Sequence, residues 1–291
     1  MILEEVNSCP ICQGNQFTTL HTSKDYTSSA ELFTVKQCTG CSLVLTSPRP
    51  VESQASLYYQ SSNYISHQAK AASFLDRIYH AARYFTLKWK YNLIRPYAQG
   101  SLLDVGCGTG AFLTYCQNKG IHVTGIEPSD ARLSITGITT YKTLNEIPAQ
   151  PFTVITLWHV LEHMYPLRES IQQLSNNLAH NGTIFIAVPN RLSLDAKTYD
   201  NNWAAWDVPR HIWHFSEDNM KDLMQRCGLQ VKEITPMKLD AFYVALLSER
   251  YLGTSKIPAF QIIRALYQGL RSNLSARRTG QYSSLIYRIT R

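Results

Sequence analysis

The stretch 101-SLLDVGCGTGAFLTYCQ-117 constrains the fold more than any other part of the chain. An apolar β-type run carries Asp104 near its end, glycines follow at 106, 108 and 110, and an apolar run with helical spacing begins at Ala111. Glycine is needed where backbone turns sharply or where a ligand must approach it, because a side chain would occupy the ligand's space. A strand that passes through such a loop into a helix is the opening unit of a parallel sheet. The alternation continues: HVTGIE, FTVITL and TIFIAV read as strands, DNMKDLMQRCGL as a helix closed by Gly228, and LQVKEITPM as a further strand. The expected fold is therefore α/β, a doubly wound, Rossmann-like sheet.

Glu127 ends the strand after the loop, 21 residues beyond Gly106, where a carboxylate can accept hydrogen bonds from two ribose hydroxyls. The glycines run G-x-G-x-G rather than G-x-G-x-x-G, and Asp104 stands two residues ahead of the first. A carboxylate there opposes a pyrophosphate but suits a cationic amino-acid portion, which favours S-adenosylmethionine over a dinucleotide.

LLDVGCGTGAFL together with GIEPSD resembles motif I and the ribose-binding acid of class I SAM-dependent methyltransferases. FTVITLWHVLEHMYP and PRHIWHFSEDNMKDLMQRCGLQV resemble later segments of the branch that includes ubiquinone-pathway O-methyltransferases. The resemblance implies that Asp104, Gly106, Cys107, Gly108 and Gly110 line the methionine part of the cofactor and that Glu127 binds the ribose. It also implies that Pro128 and Asn145 adjoin the adenine, and that Trp158 and His159 border cofactor and acceptor.

Cys9-Pro-Ile-Cys12 and Cys38-Thr-Gly-Cys41 are two C-x-x-C knuckles with 25 residues between them, close to the spacing of a four-thiolate structural zinc site. A segment this short buries little apolar surface alone, so metal binding would supply much of its folding free energy. A zinc-binding module ahead of such a domain is similar to the arrangement in bacterial deoxysugar C-methyltransferases. Residues 1–46 are expected to form a zinc ribbon, 47–98 a linker and helical lid, 99–250 the SAM-dependent domain and 251–291 a basic C-terminal extension. Aromatic and apolar residues at helical spacing (Phe74, Ile78, Ala81, Phe85, Trp89) predict the lid helix, with Tyr64 and His67 ahead of it as acceptor contacts.

His159, Glu162 and His163 spell H-x-x-E-H, a metalloprotease pattern. That chemistry needs both histidines on one helix, and the abutting run FTVITL instead puts His159 at a strand end. The expected roles are proton transfer by His159 or His163, or loop geometry. Between TIFIAV and the next helix, Trp206, Arg210, His211 and His214 offer stacking, anion binding and a further base, with His211 a catalytic candidate and the others substrate contacts. Ser216 followed by Glu217 and Asp218 reads as a helix cap.

Composition excludes several classes. Of 291 residues 44% are apolar, enough for a sizeable core, yet no run reaches the roughly 18 residues that span a bilayer. The odd cysteine count fits metal binding in a reducing compartment, so a cytoplasmic location is expected. The net charge of +7 resides from Tyr251 onward, where seven basic residues meet no acid, so general nucleic-acid affinity is disfavoured and a local anionic contact is suggested; the helical segment 260–273 is expected to pack on its own domain, with peripheral contact to anionic lipid as the alternative. The expected reaction is methyl transfer from SAM to a small molecule such as a sugar, a nucleotide-sugar or a lipid-linked precursor. RNA methylation and an inactive SAM-fold adaptor are the alternatives. The oligomeric state is left open.

Overall fold

The computed structural model describes residues 1–59, 74–148, 150–253 and 257–291. Tyr64 and His67 lie outside the described residues. A seven-stranded sheet forms the centre of the structure. Its parallel part comprises β6 (Ser101–Val105), β7 (His122–Ile126), β8 (Thr139–Tyr141), β9 (Phe152–Trp158) and β10 (Leu178–Pro189). With β12 (Gln230–Pro236) and β13 (Ser284–Thr290), the order is β12-β13-β10-β9-β6-β7-β8. Thr183–Val188 of β10 is buried at every position, as a parallel strand covered on both faces requires.

The last strand revises the expected domain boundaries. Residues 251–291 were expected to form an extension, but β13 pairs antiparallel with β10 (Ile186↔Tyr287) and with β12 (Ile234↔Tyr287), inside the central sheet. Its Leu285, Ile286, Tyr287 and Ile289 are all buried. This short apolar run is a stronger folding signal than the segment's positive charge, because burying it in the sheet removes its apolar surface from water.

The N-terminal unit is likewise not separate. Its strands β2 (Phe17–Lys24), β3 (Leu32–Cys38) and β4 (Val44–Thr46) form an antiparallel sheet whose fourth strand, β11 (Trp213–His214), comes from beyond β10. A ribbon of β1 (Leu3–Glu4) and β5 (Arg49–Pro50) flanks it.

Helix α1 (Phe74–Ile94) forms where the spacing predicts, and from Tyr84 onward, where its side chains are described, its buried face differs from the predicted one. Phe85 and Trp89 are exposed, and Leu87, Tyr91 and Ile94 pack against the sheet instead. The other helices are α2 (Ala111–Gln117), α3 (Leu167–Asn176), α4 (Leu194–Tyr199), α5 (Glu217–Arg226), α6 (Asp240–Leu252) and α7 (Pro258–Thr279). Ser216 caps α5 in a reciprocal capping box with Asn219.

Candidate active site

The turn from β6 to α2 stands at the carboxyl edge of the parallel strands, where open α/β sheets bind ligands. Gly106, Gly108 and Gly110 all have positive φ (69°, 53° and 71°). Two of them also serve packing: a Cβ on Gly106 would lie 2.4 Å from Val160 Cγ2, and one on Gly110 would lie 2.9 Å from Ile135 Cδ1. A Cβ on Gly108 would meet nothing within 4 Å, so this glycine keeps a concave surface open. Glu127 faces the same loop and accepts from Gly108 N–H (2.8 Å) and Ser129 N–H (2.9 Å), one on each carboxylate oxygen.

Beneath the loop Asp104 is 3% exposed and accepts from Thr156 Oγ1 at 2.6 Å. Burial pushes its carboxyl up to about 7, against the opposing pull of the Thr156 hydrogen bond and of Lys90. Trp158 packs edge-on against Phe112, with Lys90 Nζ 4.5 Å from its ring centre. Among the described residues its buried indole N–H finds no hydrogen-bond partner, a donor left over beside the glycine loop. Pro128 is exposed, and so is Asn145, on a turn after β8, where its amide oxygen accepts from Gln173. An open glycine surface, a two-oxygen acceptor and an orphaned donor fit a nucleoside cofactor with a charged amino-acid end.

His159 follows β9 directly, with φ 58°. One ring nitrogen is 2.9 Å from Asp240 and the other 3.3 Å from Glu162. Burial disfavours its cation, but hydrogen bonds to the two carboxylates outweigh that and push its pKa up to about 10. Both ring nitrogens face carboxylates, and the ring fastens the loop to Asp240 and Glu162. Leu161–His163 is a short 3-10 turn, and the H-x-x-E-H helix does not form.

His211 takes the place that the motif would have given His159. One ligand atom each of Glu162, His163 and His211 lies within 4.8 Å of the other two, and the imidazoles of His163 and His211 meet edge to face. His163 Nδ1 is 2.9 Å from the carbonyl of Arg210, and His211 Nδ1 is 2.8 Å from that of Ala205. Each carbonyl takes an Nδ1–H and so fixes the tautomer with a lone pair on Nε2. Burial, and then His211, bring the His163 pKa down to about 4. Glu162 is fully buried, and among the described residues its Oε2 has no partner. These three groups can receive an acceptor's proton or hold a cation.

The other acceptor-side candidates are committed elsewhere. Arg210 Nη2 pairs with Asp25 (3.0 Å) and Asp207 (2.6 Å) and meets Thr27 Oγ1, while Nη1 donates to the carbonyl of Tyr58. With its side chain 1% exposed, it ties the N-terminal sheet to the insertion and has no face for a substrate anion. Trp206 packs on Trp203, His21 and His214 and donates to the carbonyl of Asp200. His214 is 3.0 Å from Thr46 Oγ1, and burial keeps it neutral. Asp240, Lys90 and Thr156 join the site without having been singled out in the sequence. Thr156 follows from strand alternation opposite Asp104, whereas Asp240, 81 residues beyond His159, leaves no local trace.

At the N-terminus the four thiols of Cys9, Cys12, Cys38 and Cys41 come within 4.8 Å of one another. Cys9 Sγ is 3.4 Å from Cys41 Sγ, and Cys12 Sγ is 3.5 Å from Cys38 Sγ, near the roughly 3.8 Å expected between thiolates around tetrahedral zinc. A Cβ on Gly14 or Gly40 would press Cys12 Sγ at 3.3 or 3.2 Å. The donor set fits zinc.

Residues 73–234 match the family model for the methyltransferase domain. Over 160 residues the chain is 28% identical to the ubiquinone biosynthesis O-methyltransferase of Marinobacter nauticus, an alignment that covers 46% of this chain and 66% of that one. The mitochondrial ubiquinone biosynthesis O-methyltransferase of Rattus norvegicus is 26% identical over 171 residues, with 51% of this chain and 49% of that one covered. The chain thus spans about half to just under two thirds of these relatives' length. Among solved structures, magnesium protoporphyrin IX methyltransferase from Synechocystis, with bound SAH, shares the fold at a TM-score of 0.50 and 11% identity, over 80% of this chain and 96% of that one.

Proposed function

We propose, since the chain belongs to the methyltransferase-domain family, that it moves a methyl group from S-adenosylmethionine to a nucleophile on a small molecule. The observation that carries this reading is the pairing of the open Gly108 surface with the two-oxygen acceptor of Glu127. Asp104, Gly106, Cys107, Gly108 and Gly110 hold the methionine end, Glu127 takes the ribose hydroxyls, and Pro128 and Asn145 edge the adenine. The buried indole N–H of Trp158 supplies a further donor. When bound, the sulfonium supplies an electrophilic methyl carbon and a neutral thioether leaving group.

The chain's own part is then positioning and proton removal. The acceptor's nucleophilic atom bonds to the methyl carbon as the carbon–sulfur bond breaks, and its proton passes to His211. Buried Glu162, beside that ring, stabilises the imidazolium that forms. His163 stays neutral and shapes the pocket, and His159 holds the loop through Asp240 and Glu162. The ubiquinone-pathway relatives favour an acceptor with a lipid-like body over nucleic acid.

Cys9, Cys12, Cys38 and Cys41 would hold one structural zinc ion, with no position left for substrate. Calorimetric titration with SAM tests the cofactor assignment: the wild type binds and Asp104→Ala does not. Absence of heat from the wild type overturns it. Methyl label from SAM should then enter small, extractable molecules of a cell lysate rather than RNA.

A further inference from the structure

We infer that α7 is a membrane-surface helix that seats this protein on an anionic lipid bilayer. The helix is built inside out. The side it turns to the protein is made of small residues, Ala265, Gly269, Ser272 and Ala276, all buried. It lies so close to α6 that a Cβ on Gly269 would meet Phe242 Cδ1 at 2.5 Å. The opposite side carries Ile262, Ile263, Leu266, Tyr267, Leu270 and Leu274, each between 48 and 63% exposed. A helix that only covers its own domain buries its large apolar residues and exposes its small ones. Here Ile262, Leu266, Leu270 and Leu274 stand at i, i+4, i+8 and i+12, and Ile263 and Tyr267 widen them into one continuous stripe, of the kind that marks an interaction surface.

Charge selects the occupant. From residue 257 to 279 the helix and its lead-in carry Arg264, Arg271, Arg277 and Arg278 and no acid. Arg264 is paired with Glu249 at 2.9 Å. Arg271 and Arg278 fall along one edge of the apolar stripe, and Arg277 lies at its carboxyl-terminal end. Two copies packed stripe to stripe would offer these guanidiniums no acid from either helix, whereas an anionic bilayer offers a partner for both the stripe and its basic border. No described helix is long and apolar enough to cross a membrane, so the geometry is that of a helix lying in the interface. α7 rests on α6, whose first residue, Asp240, reaches His159, so the lipid face adjoins the helix that borders the candidate active site. The inference stands on α7 alone and does not require the methyl-transfer reading.

Co-sedimentation of the full chain with phosphatidylcholine vesicles, with and without phosphatidylglycerol, tests it. The wild type should pellet with the anionic vesicles and be released as salt rises. Ile263→Asp and Leu266→Asp should each lower partitioning by more than about tenfold. Arg271→Gln and Arg277→Gln should each lower it by about fivefold, the equivalent of roughly 1 kcal/mol per basic residue at the lipid surface. Failure of the wild type to pellet, or aspartate variants that pellet like it, overturns the inference. So does a dimer, seen by light scattering, that Leu266→Asp dissolves, since the stripe would then belong to a second copy. Unchanged SAM binding by the variants shows that their fold survives. A wild type that pellets but binds no SAM would sink the methyl-transfer reading and leave this one standing.

Discussion

Asp104 and Arg210 are both charged and both buried, yet they sit in opposite circumstances. Among the described residues Asp104 accepts from the hydroxyl of Thr156, and burial raises its pKa to about 7. Arg210 has two carboxylates, a carbonyl and a hydroxyl around its guanidinium. A buried charge that its own protein leaves undersatisfied is stabilised by a ligand of opposite sign, whereas a saturated one fixes structure. Near the glycine loop polar groups are left over: Trp158 N–H, Glu162 Oε2 and the uncovered Gly108 surface. In the insertion around residues 203–214, most of the showier side chains are used up in joining the N-terminal sheet to the central one.

The strongest test of this contrast is removal of metal. If the cysteine quartet holds zinc, stripping it, or replacing Cys9 and Cys38 by serine, should cost a large part of the roughly 10 kcal/mol or more that such sites supply. Because β11 shares a sheet with β4, thermal melting should show the insertion loosening together with the N-terminal unit. Melting unchanged by exhaustive chelation would remove the metal from the comparison.

Arg210→Ala should come next, destabilising by about 3–5 kcal/mol in denaturant unfolding, because Asp25 and Asp207 lose their buried counter-charge. SAM affinity of the remaining folded protein should stay at the wild-type level. A selective loss of acceptor turnover at unchanged stability would instead return Arg210 to the substrate.

Gly108→Val reverses the pattern. It should lower SAM affinity by roughly a hundredfold, about 2.7 kcal/mol, since a side chain would fill the open surface and resist positive φ. Titration calorimetry across pH sharpens the Asp104 half. A cationic ligand favours the carboxylate, so affinity should be full above about pH 7 and fall as pH drops through that value, with proton release on binding near neutrality. Asp104→Asn should flatten the profile.

His159→Gln should show its effect in the pH dependence of stability. The folded pKa of His159, about 10, lies above its ordinary value near 6.5, so its contribution to stability is complete below about pH 6.5 and disappears as pH rises to 10. The stability gap between wild type and variant should narrow over that range. A bell-shaped loss of activity centred on this residue would make it a base after all.

Much of the glycine-loop half of the candidate site was legible because its determinants are local. The strand, the glycines at 106, 108 and 110 and the acid at Glu127 are consecutive features of one βαβ unit, and their side chains are bound to meet once the sheet forms. The placement of His159 at a strand end, off any helix, followed in the same way from the β-type run before it. The acceptor half was legible in composition but not in role. Aromatic, imidazole and guanidinium groups serve a pocket or a core equally well, and only their neighbours decide between the two.

What the sequence determined by itself is therefore the α/β alternation, the glycine loop with its acid and the doubled cysteine spacing, each dictated by backbone geometry over a short span. The tertiary structure alone decided that Ser284–Thr290 completes the central sheet, that His211 joins Glu162 and His163 while His159 spans Glu162 and Asp240, and that Asp25 neutralises Arg210 from 185 residues away. It also decided that α7 presents its large apolar residues outward. The physical reason is the same in each case. Burial and charge pairing depend on which distant segments the fold brings together, and a periodic pattern names a face without saying which way it points.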